Sequence, residues 1–140
     1  MNEDQITRHT SSILLCLDLE EGSRELAEFC KRCALDWDYT VQVIHIHSAG
    51  GREIEDEEND LTVLVDEILG NVNVSLVKIV TGNPEEHIIE FVKEIKSTPL
   101  IMLGKRKRRI ADRIYVGSTT SAVISLSPCP VLVVPLNTFK

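Results

Sequence analysis

The sequence predicts an open parallel α/β sheet with helices on both faces. Apolar runs and segments of helical periodicity alternate strictly along its 140 residues, as expected of strands joined by helical crossovers. The apolar runs are continuous rather than alternating, which marks strands buried on both faces of a parallel sheet. No repeat, linker or shift in composition divides the chain. Its length suits one domain, expected over residues 12–140 and preceded by a flexible tail, 1–11.

Ser12-Ile13-Leu14-Leu15-Cys16-Leu17 reads as the first strand and ends at Asp18. Over about residues 20–36, Leu26, Phe29, Cys30, Cys33, Ala34 and Trp37 recur at three- and four-residue spacing, the stripe of an amphipathic helix. Residues 40–47 are β-rich. The loop Ser48-Ala49-Gly50-Gly51 and an acidic run then lead into a second helix carrying Leu61, Val63, Leu64, Ile68 and Leu69 and closed by Gly70. Residues 72–80 form the third strand. Thr81-Gly82-Asn83-Pro84 ends it, and Pro84 with Glu85 and Glu86 suits the first turn of a helix reaching about Lys96. Leu100-Ile101-Met102-Leu103 is a short buried strand stopped by Gly104. Gly117-Ser118-Thr119-Thr120-Ser121 offers N-caps for the fourth helix. Cys129-Pro130-Val131-Leu132-Val133-Val134-Pro135 is the last strand, and its prolines fit a sheet edge.

Hydrophobic residues make up 43% of the chain, which excludes a disordered protein. No apolar run approaches the roughly 20 residues of a membrane span. Residues 1–12 lack the apolar core of a secretion signal, so the expected localisation is cytoplasmic. The net charge of −7 disfavours nucleic acid as a partner, as does an aromatic content of 4%. That charge is unevenly placed. Lys105-Arg106-Lys107-Arg108-Arg109 is an unbroken cationic run, and residues 105–113 carry +5, leaving −12 on the remainder. Residues 53–60 hold six acids and no base, a pattern that suits a solvated helix start.

The four cysteines read as small core residues rather than a disulfide framework. Cys30-Lys31-Arg32-Cys33 has redox-dithiol spacing, but it falls in mid-helix, away from the N-terminal dipole that activates such a thiol. His45 and His47 share one face of their strand. No further ligand stands at metal-binding spacing from them, so both read as structural.

In sheets of this class, ligands bind beyond the carboxyl ends of the strands, where strand order reverses. The residues there are Asp18, His47 and Ser48, Gly82, and Gly104 with the basic run; Gly117 and Ser118 open the next helix. An acid, a glycine turn, clustered cations and a helix N-terminus together suit a phosphate site.

Gly82-Asn83-Pro84, Ile101-Met102-Leu103-Gly104, Gly117-Ser118 and Pro128-Cys129-Pro130-Val131-Leu132-Val133-Val134 resemble the universal stress protein family. The strand ending in Asp18 and Val43-Ile44-His45-Ile46 extend the likeness over about residues 12–135. The resemblance implies a Rossmann-like, adenine nucleotide hydrolase-like fold and a site for ATP, alone or with Mg2+. It places Asp18 near ribose and phosphates, Ile46 at adenine, and Gly104, Gly117 and Ser118 at the phosphates, with Thr119 beside them. The family's second motif glycine is replaced by Lys107. A side chain there either obstructs the phosphate loop, at about 1 kcal/mol of backbone strain, or, with Lys105, supplies compensating charge.

The resemblance also implies a homodimer formed through Val131, Leu132, Val133 and Val134, and a regulatory stress-response sensor with slow ATP hydrolysis at most. Two other readings remain open. One is an interaction protein of the same fold whose basic segment, residues 105–109, docks an acidic partner. The other is a hydrolase, for which no catalytic base is identifiable.

Overall fold

The computed structural model describes residues 9–47, 50–95, 98–107 and 118–139. Five strands, β1 (His9–Leu17), β2 (Thr40–His47), β3 (Val74–Thr81), β4 (Thr98–Lys107) and β5 (Val131–Phe139), alternate with four helices. These are α1 (Ser23–Trp37), α2 (Ile54–Ile68), α3 (Pro84–Glu94) and α4 (Ser118–Leu126). The sheet is wholly parallel in the order β3-β2-β1-β4-β5, the architecture expected from the sequence. Among the described residues no helix is long and apolar enough to cross a membrane.

Successive β1 side chains enter opposite halves of the core, because side chains alternate across a strand. Ile13, Leu15 and Leu17 pack with Leu26, Ala27, Cys30 and Cys33 of α1 and Leu61, Leu64 and Ile68 of α2. Leu14 and Cys16 pack with Ile44, Ile46, Ile101 and Leu103, against Ile88, Phe91 and Val92 of α3 and Val123 of α4. Burial on both faces accounts for the unbroken apolar run.

Several element ends differ from the sequence expectation, three of them by pairing that the sequence does not announce. β1 begins at His9, before Ser12, where His9 pairs with Thr98 of β4; residues 1–8 of the expected tail lie outside the described residues. β4 does not stop at Gly104. It continues to Lys107 because β5 supplies partners, Gly104 opposite Val134, Lys105 opposite Pro135 and Lys107 opposite Phe139. β5 correspondingly runs past Pro135, which is tolerated on an outer strand. The first cations of the basic run are therefore strand residues, while Arg108 and Arg109 lie outside the described residues.

The acidic run forms the opening turns of α2, with Glu55, Asp56 and Glu57 in the first turn. At α3, Pro84 occupies the first turn and the Asn83 side chain accepts the Glu86 N–H at 3.4 Å. Gly82 serves this turn: at φ 140° it adopts a conformation that side chains disfavour, and a Cβ would lie 2.6 Å from His87 Nε2.

Candidate functional site

The helices that follow β1 and β4, α1 and α4, pack on opposite faces of the sheet, and a crevice opens beyond the carboxyl ends of these two strands. It encloses about 210 Å³. One wall is apolar and comes from the buried strand ends and α3: Cys16, Ile46 and Leu103 with Pro84 and Ile88. The mouth is polar, with Asp18, Lys105, Arg106, Thr119 and Thr120. The last two belong to the first turn of α4, where backbone N–H groups lack helical partners.

Asp18, Ile46, Gly104, Lys105 and Thr119, singled out in the sequence, all line this crevice. Gly117 and the side chains of Lys107 and Ser118 lie outside the described residues. Gly104 has a packing role: a Cβ there would lie 2.8 Å from Leu136 Cδ1 and 3.3 Å from Leu26 Cδ2. Its missing side chain lets α1 and β5 close over β4.

Asp18 follows the last β1 residue, where the chain turns sharply into α1 through Leu19 at φ 58° and Gly22 at φ 97°. Its Oδ1 accepts the Glu20 N–H at 3.0 Å and the Ser23 hydroxyl at 3.2 Å, which orders the turn. Arg106, indistinguishable from its neighbours in the sequence, reaches the same carboxylate from β4. Its Nη2 lies 2.7 and 2.5 Å from the two Asp18 oxygens, and its Nε donates to the Glu21 carbonyl at 2.6 Å.

These features coincide with a family match. The model of the universal stress protein family matches residues 9–135. The chain belongs to the universal stress protein family. A universal stress protein solved in complex with cAMP is 16% identical, with a TM-score of 0.69 over 91% of this chain and 98% of the other. The Archaeoglobus fulgidus universal stress protein solved in complex with dAMP is 18% identical, with a TM-score of 0.64 over 92% and 98%. A universal stress protein from Archaeoglobus fulgidus DSM 4304 is 27% identical, with a TM-score of 0.67 over 91% of this chain and 44% of the other. No curated protein matches the chain.

Beside the crevice, this family member carries a polar cluster whose members stand ten and twelve positions apart in the sequence. His45 and His47 converge on one oxygen of Glu57, each at 2.7 Å. The other His45 nitrogen, Nδ1, donates to the Leu17 carbonyl at 2.8 Å, since a carbonyl can only accept. Burial would raise the Glu57 pKa, but the hydrogen bonds and charges of the two histidines hold it below the ordinary carboxylate value. Glu57 is therefore ionised at neutral pH and sits as an acceptor between the two rings. The structural reading of the histidines gains a partner, and Glu57 leaves the class of solvated acids.

Burial pushes the Cys30 thiol up to about 12 and raises Cys16, Cys33 and Cys129 as well. Among the described residues, no group of His, Cys, Asp and Glu is arranged to hold a metal ion.

Proposed function

We propose that the crevice binds an adenine nucleotide, with ATP the expected ligand, and that the protein acts as a nucleotide-controlled regulator of the cytoplasmic stress response. The observation that carries this reading is the crevice's two-part chemistry. The apolar slot of Ile46, Ile88 and Leu103 suits a flat purine, and it opens onto Lys105, Arg106 and the first turn of α4, which suit phosphates. The ligands of two structural neighbours, cAMP and dAMP, belong to the same chemical class and support it.

Within this reading Ile46 faces the base, while Lys105, Thr119, Gly117 and Ser118 serve the phosphates, with Lys107 adding charge at the strand end. Asp18 is held by Arg106, so a Mg2+ ion accompanying ATP would take its ligands from phosphates and water. The family's homodimer is proposed here through β5, the outer strand of the sheet order. The alternative, a basic segment docking an acidic partner, has less support because the Arg106 guanidinium is engaged within the chain.

Calorimetric titration with ATP tests the proposal. We expect saturable binding, weakened about tenfold or more by Lys105→Glu through like-charge repulsion at the phosphates and abolished by Gly117→Val. No binding at millimolar ATP, or equal binding by wild type and both variants, overturns it.

A further inference from the structure

Asp18 and Arg106 are 88 positions apart in the chain and meet across the crevice mouth. β4 carries Gly104 and Arg106 on one face, the side of α1, and Lys105 on the other. From there Arg106 lies flat over the β1–α1 turn. Its side chain is 14% exposed, against 50% for Asp18 and 69% for Glu20. The cation is thus better buried than the acids that hold it.

The hydrogen-bonding capacity of this pair constrains any ligand. Asp18 Oδ1 already accepts from the Glu20 N–H, the Ser23 hydroxyl and Arg106 Nη2. An oxygen with that many donors has no lone-pair direction left for a sugar hydroxyl. Oδ2 accepts from Nη2 as well. The carboxylate can therefore receive both hydroxyls of a ribose only if the guanidinium withdraws. On the guanidinium, Nε and Nη2 are committed. Nη1 is 3.6 Å from Glu20 Oε2, beyond hydrogen-bond range. Among the described residues that nitrogen has no hydrogen-bond acceptor, and the side chain lines the crevice.

We infer that Arg106 is the specificity-determining residue of the crevice, selecting nucleotides over nucleosides. The inference rests on the nucleotide-binding reading of the site. By occupying Asp18, Arg106 leaves Oδ2 with at most one acceptor position for the sugar of a neutral nucleoside, too few for both ribose hydroxyls. By presenting Nη1, it offers a charged donor to a ligand that brings its own anion, a 5′-phosphate. Without Arg106, the Asp18 and Glu20 carboxylates would repel a phosphate at the same mouth. The planar fork matters here, because a lysine ammonium cannot bridge both Asp18 oxygens and the Glu21 carbonyl while still facing a ligand.

Titration of wild type, Arg106→Gln and Arg106→Lys with adenosine and AMP tests this, with melting temperatures confirming that each variant is folded. Wild type is expected to prefer AMP over adenosine by about tenfold or more, given the strength of charge-assisted hydrogen bonds. Arg106→Gln should lose that preference by weakening AMP binding while adenosine binding holds or tightens. Arg106→Lys should fall between them. In the Arg106→Gln background, a further Asp18→Asn change should remove any gain for adenosine. An unchanged AMP-to-adenosine ratio, or equal losses for both ligands, overturns the role of Arg106 while leaving the site intact. If wild type binds neither ligand at millimolar concentration, the nucleotide-binding reading fails and this inference fails with it.

Discussion

Nε2 of His45 lies 2.7 Å from Oε2 of Glu57, in a contact where the histidine is 2% and the glutamate 11% exposed. This pair ties the first turn of α2 to β2. Through the His45 Nδ1 bond to the Leu17 carbonyl, it also reaches the end of β1, one residue before Asp18. The cluster therefore braces the strand end that positions the crevice carboxylate.

Replacing Glu57 with Gln leaves His45 and His47 converging on an uncharged amide. The expected loss is about 1.5–3 kcal/mol, the range for hydrogen bonds to charged groups, read by urea denaturation at pH 7. A loss below about 0.5 kcal/mol would show that the cluster does not brace the fold.

The same glutamate gives a pH signature. Its pKa is depressed in the folded protein below the ordinary value of 4.5. Its contribution is present above that value and is lost as pH falls through the folded one. The stability gap between wild type and Glu57→Gln should be complete near pH 6, narrow below about 4.5 and close further with acid. Denaturation series at several pH values would reveal a gap that widens on acidification if the sign is wrong.

Gly104→Ala tests the packing role of this glycine. The added methyl would sit 2.8 Å from Leu136 Cδ1 and must displace a side chain that is 3% exposed. A loss of about 1–3 kcal/mol is expected from overpacking. Made in a Leu136→Ala background, the same change should cost less than half as much. Additive losses would place the strain elsewhere.

Asp38 ends α1 in the left-handed region at φ 57°, with its N–H bonded to the Ala34 carbonyl. An aspartate there combines backbone strain with an acid at the negative end of the helix dipole. Asp38→Gly should raise stability by about 0.5–1 kcal/mol, measurable as a higher Tm. A lower Tm would mean that the aspartate makes a compensating contact.

Thiol chemistry separates core cysteines from a redox pair. With Cys30 pushed up to about 12 and Cys16 also raised by burial, iodoacetamide at pH 8 should label both at least about 100-fold more slowly in native than in unfolded protein. Rapid native labelling of Cys30, or a Cys30–Cys33 disulfide under mild oxidation, would contradict this.

The elements that the sequence placed well are those whose burial pattern is local. Residues 12–17 announce a strand covered on both faces, the Leu26 to Ala34 spacing announces α1, and Asn83-Pro84 announces the start of α3. Strand ends were less legible. Nothing around Gly104 indicates that the strand continues, because the ladder through Lys107 is completed by Val134, Pro135 and Phe139 from elsewhere in the chain.

By itself, then, the sequence determined the parallel α/β architecture and put Asp18, Gly104 and Lys105 at strand ends, because periodicity and turn residues encode burial along one chain segment; the family resemblance, rather than periodicity, added Ile46 and Thr119, and all five line the crevice. Only the tertiary structure decided which charged groups are partners. It took Arg106 out of a uniform cationic run and set it on Asp18, and it took Glu57 out of an acidic run and set it between His45 and His47. The reason is physical: a charge run looks the same at every position until strand order brings one member within hydrogen-bond distance of a group far away in sequence.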